Sequence, residues 1–445
     1  MFQTFKNAWK VPELRKKLLF TLMIVLLYRI GSNLFVPYVN VAAIDTFSSG
    51  LSNTLLGMLS MMSGTAFSQA TFFALSVSPY ITASIVMQLL TIAIPALERM
   101  SKDEDGKKKI ATATRWVTVL LALITSYGYV NLLNQNGLLT VTSKDSHWVF
   151  AWFVMIACFC AGASLIMWLA EKINDHGIGN GISIILFANI LSGLVPTINE
   201  MVSWIYRGKG QWVVGWDLAS GIIKAVLSIV LTVAAIVLIV WFTNSERRIK
   251  VIYAKKVVGR KMYGGQKTNL PLKMNMAGVM PVIFASSIVS IPATIAAFIP
   301  NTDGKNGFVN FVNAWLAPTS PIYIVIFIAL IFAFSYFYIA ISFNPVEVAN
   351  NIRNNGGAII GIRPQEMAPF IKKILNRVTL MGAVFLVVIS GVPLIVNAIM
   401  TITGISFSSI AFTGTSLLIV VGVALETVRD LEAQLSMRNY KGFLD

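Results

Sequence analysis

Ten apolar stretches, each close to the ~20 residues that a membrane helix needs, recur along the chain. They lie at about 18–36, 72–95, 116–133, 149–170, 180–198, 220–243, 276–299, 321–343, 378–398 and 406–425. At 1.5 Å of rise per residue, a helix of that length crosses a hydrocarbon core of ~30 Å. Nothing in that core can bond to a bare peptide group, so a single continuous segment must satisfy its own backbone, and the helix does so. The chain therefore reads as an all-α polytopic membrane protein with ten transmembrane helices. Composition agrees: 12% of its 445 residues are charged, against roughly 25% in soluble domains. The first run follows a basic stretch, Lys6 to Lys17, in the order of a signal peptide. It is too long for one, and no small-x-small cleavage site follows, so it is kept as the first span.

Orientation follows from Lys and Arg. Twenty-nine of the 35 fall on one side, in the N-terminal segment, the 96–115, 171–177, 244–275 and 344–377 loops, and the tail. Five fall on the other side or at its edge: Lys144, Arg207, Lys209, Lys224 and Lys305. Positive charge marks the cytoplasmic side, so both termini and the large basic loops are expected there. The net charge of +16 is thus a property of one face. Ten spans divide into two sets of five, and an odd number per set inverts the second set relative to the first. The expected organisation is a cytoplasmic N-terminus at 1–17, a first half at 18–198, an external loop at 199–219, a second half at 220–425 and a cytoplasmic tail at 426–445.

Two of the basic loops exceed simple connectors. Residues 247–273 alternate charged with β-branched or aromatic residues around Gly264-Gly265, the pattern of a projecting β-hairpin. Residues 344–369 carry Pro345 and Pro364 near their ends and Gly356-Gly357 between, which predicts a short helix, a turn and a second projecting loop. Residues 55–67, LLGMLSMMSGTAF, are apolar enough to leave water but too short to span. Read alone, they form a re-entrant loop.

Much chemistry is missing from the sequence. Ion-driven transporters bury acidic residues or histidine mid-span, whereas the ionisable residue well inside a span here is Arg29, expected to snorkel outward. No HExxH or mid-span aspartate pair is present. The run GRKMYGGQKT at 259–268 misses a phosphate-binding P-loop, because Gly265 stands where the lysine belongs. Cys158 and Cys160 lie two apart on a helix and read as small packing residues. No catalytic residue, metal site or cofactor is expected, and any energy source must come from a partner. A ten-span inverted-repeat transporter would need a mid-span acid. A membrane scaffold that only recruits partners would not conduct.

Several long stretches together resemble one family: FFALSVSPYITASIVMQLL at 72–90, GIGNGISIILFANI at 177–190, LPLKMNMAGVMPVIFASSI at 270–288, FNPVEVANNIRNNGGAIIGIRP at 343–364 and GTSLLIVVGVALET at 414–427. They are similar to the SecY family of protein-conducting channels. The resemblance implies a non-enzymatic channel in the bacterial plasma (inner) membrane. Such a channel passes unfolded secretory chains across the bilayer and transmembrane segments laterally into lipid. It implies SecE and SecG as companion subunits, signal peptides as ligands, and the motor ATPase SecA or the ribosome as the source of drive.

The same resemblance makes 55–67 a short re-entrant plug helix, with Met58, Met61, Met62, Ser63 and Gly64 as its closing contacts. It places an aliphatic pore ring on Ile81, Ile85, Ile182, Leu186, Ile283 and Ile419. By spacing alone Ile81/Ile85 and Ile182/Leu186 are i, i+4 pairs on one helix face, as core packing would also give. In a pore, such walls form a gasket with no hydrogen-bonding preference. Gln88 and Asn275 fall on the lateral gate between the second and seventh spans. Arg247, Arg248, Lys250, Arg260, Lys261 and Arg363 fall on the loops that dock SecA and the ribosome, where basic side chains suit rRNA phosphates. Gln365 replaces the glycine usual after the GIRP motif.

Overall fold

The computed structural model describes residues 2–40, 66–141, 147–204, 206, 216–253, 256–258, 261–263, 267–299, 306–316, 320–403 and 414–441. Helices answer to all ten predicted spans. They are α2 (Pro12–Gly31), α3 (Ser78–Ala93), α5 (Glu104–Gln135), α6 (Trp148–His176), α7 (Gly181–Ser192) continued by α8 (Leu194–Ser203), α9 (Trp216–Asn244), α10 (Met280–Phe298), α12 (Pro321–Ser342), α14 (Met367–Thr403) and α15 (Gly414–Lys441). Shorter helices are α1 (Phe2–Lys10), α4 (Pro95–Lys102), α11 (Gly307–Trp315) and α13 (Pro345–Asn354). By length and composition alone, α5, α6, α9, α12 and α14 suffice to cross a membrane, and α3 with α4 would be a sixth but for a bend of 105° between them. The outward face of α9 carries Ile223, Val237 and Trp241 at 62%, 61% and 71% exposure, a surface suited to lipid rather than water.

The ends of these helices follow from local chemistry. Asn180 accepts from the backbone N–H of Ile182 and Ser183 and starts α7. Asn344 does the same for Val346 and Glu347 at α13, the usual N-cap geometry. Prolines stand in the first turn of α2, α3, α10, α12 and α13, where the missing N–H costs nothing.

The second span begins later than its apolar run suggests. Residues 72–77 are not helical, and α3 starts at Ser78 with Pro79 in its first turn. The preceding stretch folds as tight turns: Thr71 N–H bonds Ala66 O, Ala74 N–H bonds Thr71 O and Ser76 N–H bonds Phe73 O. Phe72 N–H bonds Leu34 O at 2.7 Å, across from the end of α2. Ala70 and Ser76 have φ of 50° and 49°, a left-handed conformation that costs roughly 1–2 kcal/mol per residue. The stretch is buried except at Gln69 and Phe72, which are half-buried, with Ala70 at 1% exposure and Thr71 and Ala74 at 0%. Gly162 of α6 admits it, since a Cβ there would sit 2.0 Å from the Phe72 carbonyl oxygen.

The two long loops project from the same end of the bundle and fold together. Strands β1 (Glu246–Tyr253) and β4 (Lys267–Lys273) pair antiparallel, Glu246 opposite Lys273 through Ile252 opposite Lys267. This is the predicted hairpin, tipped by the short pair β2 (Lys256–Val258) and β3 (Lys261–Tyr263). The second loop gives the expected helix, α13, and then a strand that was not expected. β5 (Gly357–Ile359) adds to the other edge of β1, with Val251 opposite Ile359. A small core of its own forms there from Ile249, Val251, Leu272, Ile352, Ile359, Met367 and Ile371.

Gly162→Ala should displace the 66–77 stretch. Overpacking a closed core costs about 1–3 kcal/mol, so its thermal midpoint in detergent should fall below wild type, while Ala163→Gly should not show the same clash. An unchanged midpoint for Gly162→Ala would mean that the stretch does not press on α6.

Candidate functional site

Five of the six predicted ring residues are buried: Ile81 and Ile85 of α3 at 3%, Leu186 of α7 at 1%, Ile283 of α10 at 3% and Ile419 of α15 at 5%. Ile182 is half-buried and packs against them, and all six belong to one continuous apolar cluster. Two helices come from each half of the chain, and they close a circuit. α3 packs on α10, and α15 on α7. Val279, just before α10, presses its side chain on Gly422 of α15, where a Cβ would meet it at 2.3 Å. Between α7 and the start of α3, Asn189 Nδ2 donates to Ser76 Oγ at 3.0 Å in a buried site. The halves thus meet along two seams: α10 against α3 and α5, and α15 against α7.

The polar joints of this circuit were not legible in the sequence. Asn189 and Ser76 lie 113 residues apart, and nothing in either run marks them as partners. Arg29 is a correction. It does not reach outward; its Nη2 donates to Ala188 O of α7 at 2.8 Å. A guanidinium at an apolar depth needs an acceptor, and a protein carbonyl supplies it.

The other predicted residues are placed as follows. Met58, Met61, Met62, Ser63 and Gly64 lie outside the described residues. The end of the 55–67 stretch is described. Phe67 stacks obliquely on Tyr129 of α5 with ring centroids 4.8 Å apart, and the Tyr129 hydroxyl donates to the Phe67 carbonyl. Gln88 is half-buried on α3 with its amide 3.4 Å from Ser84 Oγ. Asn275 is buried in the link from β4 to α10, its Cα 3.8 Å from where a Cβ on Gly382 of α14 would lie. The Gln88 amide thus contacts its own helix and is not bonded to Asn275.

Arg247, Arg248 and Lys250 are exposed on β1, while Ile249 and Val251 alternate into the small core. Arg248 Nε bonds Glu246 Oε1 at 2.6 Å. Lys261 lies on β3, and Arg260 lies outside the described residues. Arg363 is exposed, four residues beyond β5. Gly361 turns the chain there with φ +80°, and Glu366 N–H closes a turn on Arg363 O at 2.9 Å. Pro364 occupies the second position of that turn. Gln365 follows without a positive φ, so the turn places no demand for glycine at that position. Because β5 pairs with β1, the Arg363 turn and the basic face of β1 belong to one rigid unit. Where this unit meets α15, burial pushes the Glu426 carboxyl up, reinforced by Asp430, and burial pulls the Lys273 ammonium down.

Comparison with known proteins gives one consistent result. The SecY family model matches residues 71–428. The protein translocase subunit SecY of Streptomyces galbus is 42% identical over the whole of both chains. That of Thermus thermophilus is 39% identical over 100% of this chain and 98% of its own. A solved protein-conducting channel superposes with a TM-score of 0.65 at 16% identity, covering 96% of each chain. Sec61 in the canine ribosome–channel complex from the endoplasmic reticulum does so at 0.61 and 15%, again over 96% of each. At such identities the two structures speak to the fold.

Leu186→Ala should cost about 2–5 kcal/mol, the range for a fully buried leucine, and Ile182→Ala roughly half of that, since its side chain is only half-enclosed. Thermal unfolding of the two variants side by side checks this. Equal or reversed losses would contradict the packing described.

Proposed function

The chain belongs to the SecY family, and on that premise we propose that the four-helix circuit is the waist of a pore through which unfolded polypeptide passes outward. It is a multi-pass membrane channel subunit and not an enzyme. The observation that carries the reading is that six aliphatic side chains, drawn from both halves of the chain, belong to one continuous apolar cluster, five of them buried and Ile182 half-buried. Such a cluster holds the closed state by packing alone. It opposes ions by dewetting, and it offers a passing chain no polar group to catch on.

In this reading α3, with α5 behind it, and α10 form the lateral gate through which signal peptides and transmembrane segments reach lipid. Gln88 on α3 and Asn275 just before α10 lie on that gate. Residues 55–67 form the plug, swung from the fixed point that Phe67 makes on Tyr129. The sheet end faces the cytoplasm together with both termini, in a bacterial plasma membrane, with two inverted five-helix halves flanking the pore. Support for this orientation comes from the basic loops and from the bacterial relatives. The sheet and the Arg363 turn receive SecA or the ribosome, which supply the energy, and SecE and SecG complete the channel. The exposed basic side chains of β1 would meet rRNA phosphates there.

Deleting 55–65, and keeping Phe67 on its tyrosine, should leave the helices folded but give transient ion conductance in planar-bilayer recordings. Changing Ile81, Ile182, Ile283 and Ile419 together to Asn should raise the leak further by wetting the waist. Intact, folded variants that remain as tight as wild type would remove the pore from this location.

Arg363 should be required for motor-driven transport. Its guanidinium can make forked hydrogen bonds that an ammonium cannot. ATP-dependent uptake of a precursor into vesicles should be abolished by Arg363→Glu and reduced by Arg363→Lys at matched channel levels. Wild-type uptake by the Glu variant would reduce Arg363 to a topology charge.

A further inference from the structure

The two seams between the halves differ at the sheet end. α15 runs as one helix from the ring residue Ile419 to Asp430 and beyond, and those eleven residues span about 16 Å of axis. There Asp430 Oδ2 accepts the backbone N–H of Gly179 at 3.0 Å and is steadied by Gln434 Nε2 at 3.3 Å. Gly179 belongs to the turn that leads into α7, three residues before Ile182. Its φ of +77° suits only glycine, and a Cβ would lie 3.2 Å from Thr427 Oγ1 of α15. The neighbouring Arg429 ties α15 to α9 within its own half. Its Nη2 bonds Thr243 O at 3.0 Å and Asn244 Oδ1 at 2.7 Å, at the end of α9 where the helix dipole favours a cation. Consecutive residues diverge by about 100° around a helix, so one turn of α15 grips both halves. Leu431 is fully buried against Ile178 and the first two helices, and Lys17 Nζ reaches Gln434 Oε1 at 3.2 Å.

We propose that this turn of α15 is a clasp that keeps the α7–α15 seam shut while the α3–α10 seam parts, with Asp430 as the positioning residue that fixes which seam opens. The inference rests on the channel reading given above. Lateral opening at one seam requires a fixed edge opposite it. The clasp lies on the two ring helices that do not form the gate, at the end where a motor or ribosome would push. Two independent features hold it, an apolar pocket around Leu431 and a carboxylate on a backbone N–H, so that it resists both shear and separation.

The test uses the assembled channel in lipid vesicles, with Cys158 and Cys160 replaced by Ser and spin labels at Asp175→Cys and Ser436→Cys. Wild type should give one narrow distance. Asp430→Ala should broaden it and lower uptake of an intact precursor about tenfold, the factor that loss of one hydrogen bond to a charged group allows. Asp430→Asn keeps an acceptor for Gly179 and should retain the narrow distance and at least half of the uptake. Joining the two cysteines with a bis-maleimide that matches the measured distance should leave uptake intact, because this seam does not part. Wild-type distance and uptake in Asp430→Ala would overturn the clasp, as would loss of uptake on cross-linking. Should Asp430→Ala fail to accumulate, the Asn variant and the cross-link decide. Absence of uptake by the wild-type channel itself would instead count against the channel reading.

Discussion

A backbone at bilayer depth must find all of its hydrogen bonds within the protein, and the interior of this fold is arranged around a long stretch where helices alone do not supply them. Residues 66–77 run unwound beside the ring. Five of their N–H groups bond within tight turns or to Leu34 just past α2, and they are enclosed by α2, α5 and α6. Gly162 exists to let that backbone in. Tyr129 spends its hydroxyl on Phe67, and Ser76 receives Asn189. The delayed start of α3 sets the height at which Ile81 and Ile85 meet the other ring helices. Two left-handed non-glycine residues persist in this stretch, a cost tolerated because the surroundings over-determine the path.

From that fixed stretch the circuit of four helices can be traced, and its joints are unlike one another. At one end of the bundle, α7 is tied to the start of α3 and to Arg29 of α2 by polar contacts. At the sheet end α7 is tied to α15 through Gly179 and Asp430. Polar bonds between packed helices are individually modest, ~0.6–2 kcal/mol, yet each is directional. Aliphatic packing between α3 and α10 has no such direction and yields to any apolar intruder of similar shape. On the proposed reading, a seam fastened by geometry beside a seam fastened by packing gives the channel one side on which to open.

The projecting unit illustrates how a surface can be rigid without a large core. Strand β1 is paired on both edges, by β4 from its own loop and by β5 from a loop a hundred residues later. Few apolar side chains lie beneath it. Closing both edges removes the pairing liability of a lone hairpin and carries the Arg363 turn on the same frame as the basic face of β1.

The sequence by itself determined the span count, the helical class, the basic face and the hairpin, because each depends on local composition: apolar length, Lys and Arg placement, and alternation. Ile81 and Ile85 were legible as a pair on one helix face, and it is the family motifs that single them out for the proposed ring. Only the tertiary structure decided where α3 begins, that β5 joins β1, that Arg29 turns to Ala188, and that Asp430 meets Gly179. These depend on residues 104 to 251 positions apart finding one another. A hydrogen bond across such a separation leaves no periodicity for a single sequence to display. The unwound stretch was hidden for a related reason. Its side chains are as apolar as those of a helix, because burial selects for apolarity whatever the backbone does, and hydropathy cannot report the dihedral angles beneath it.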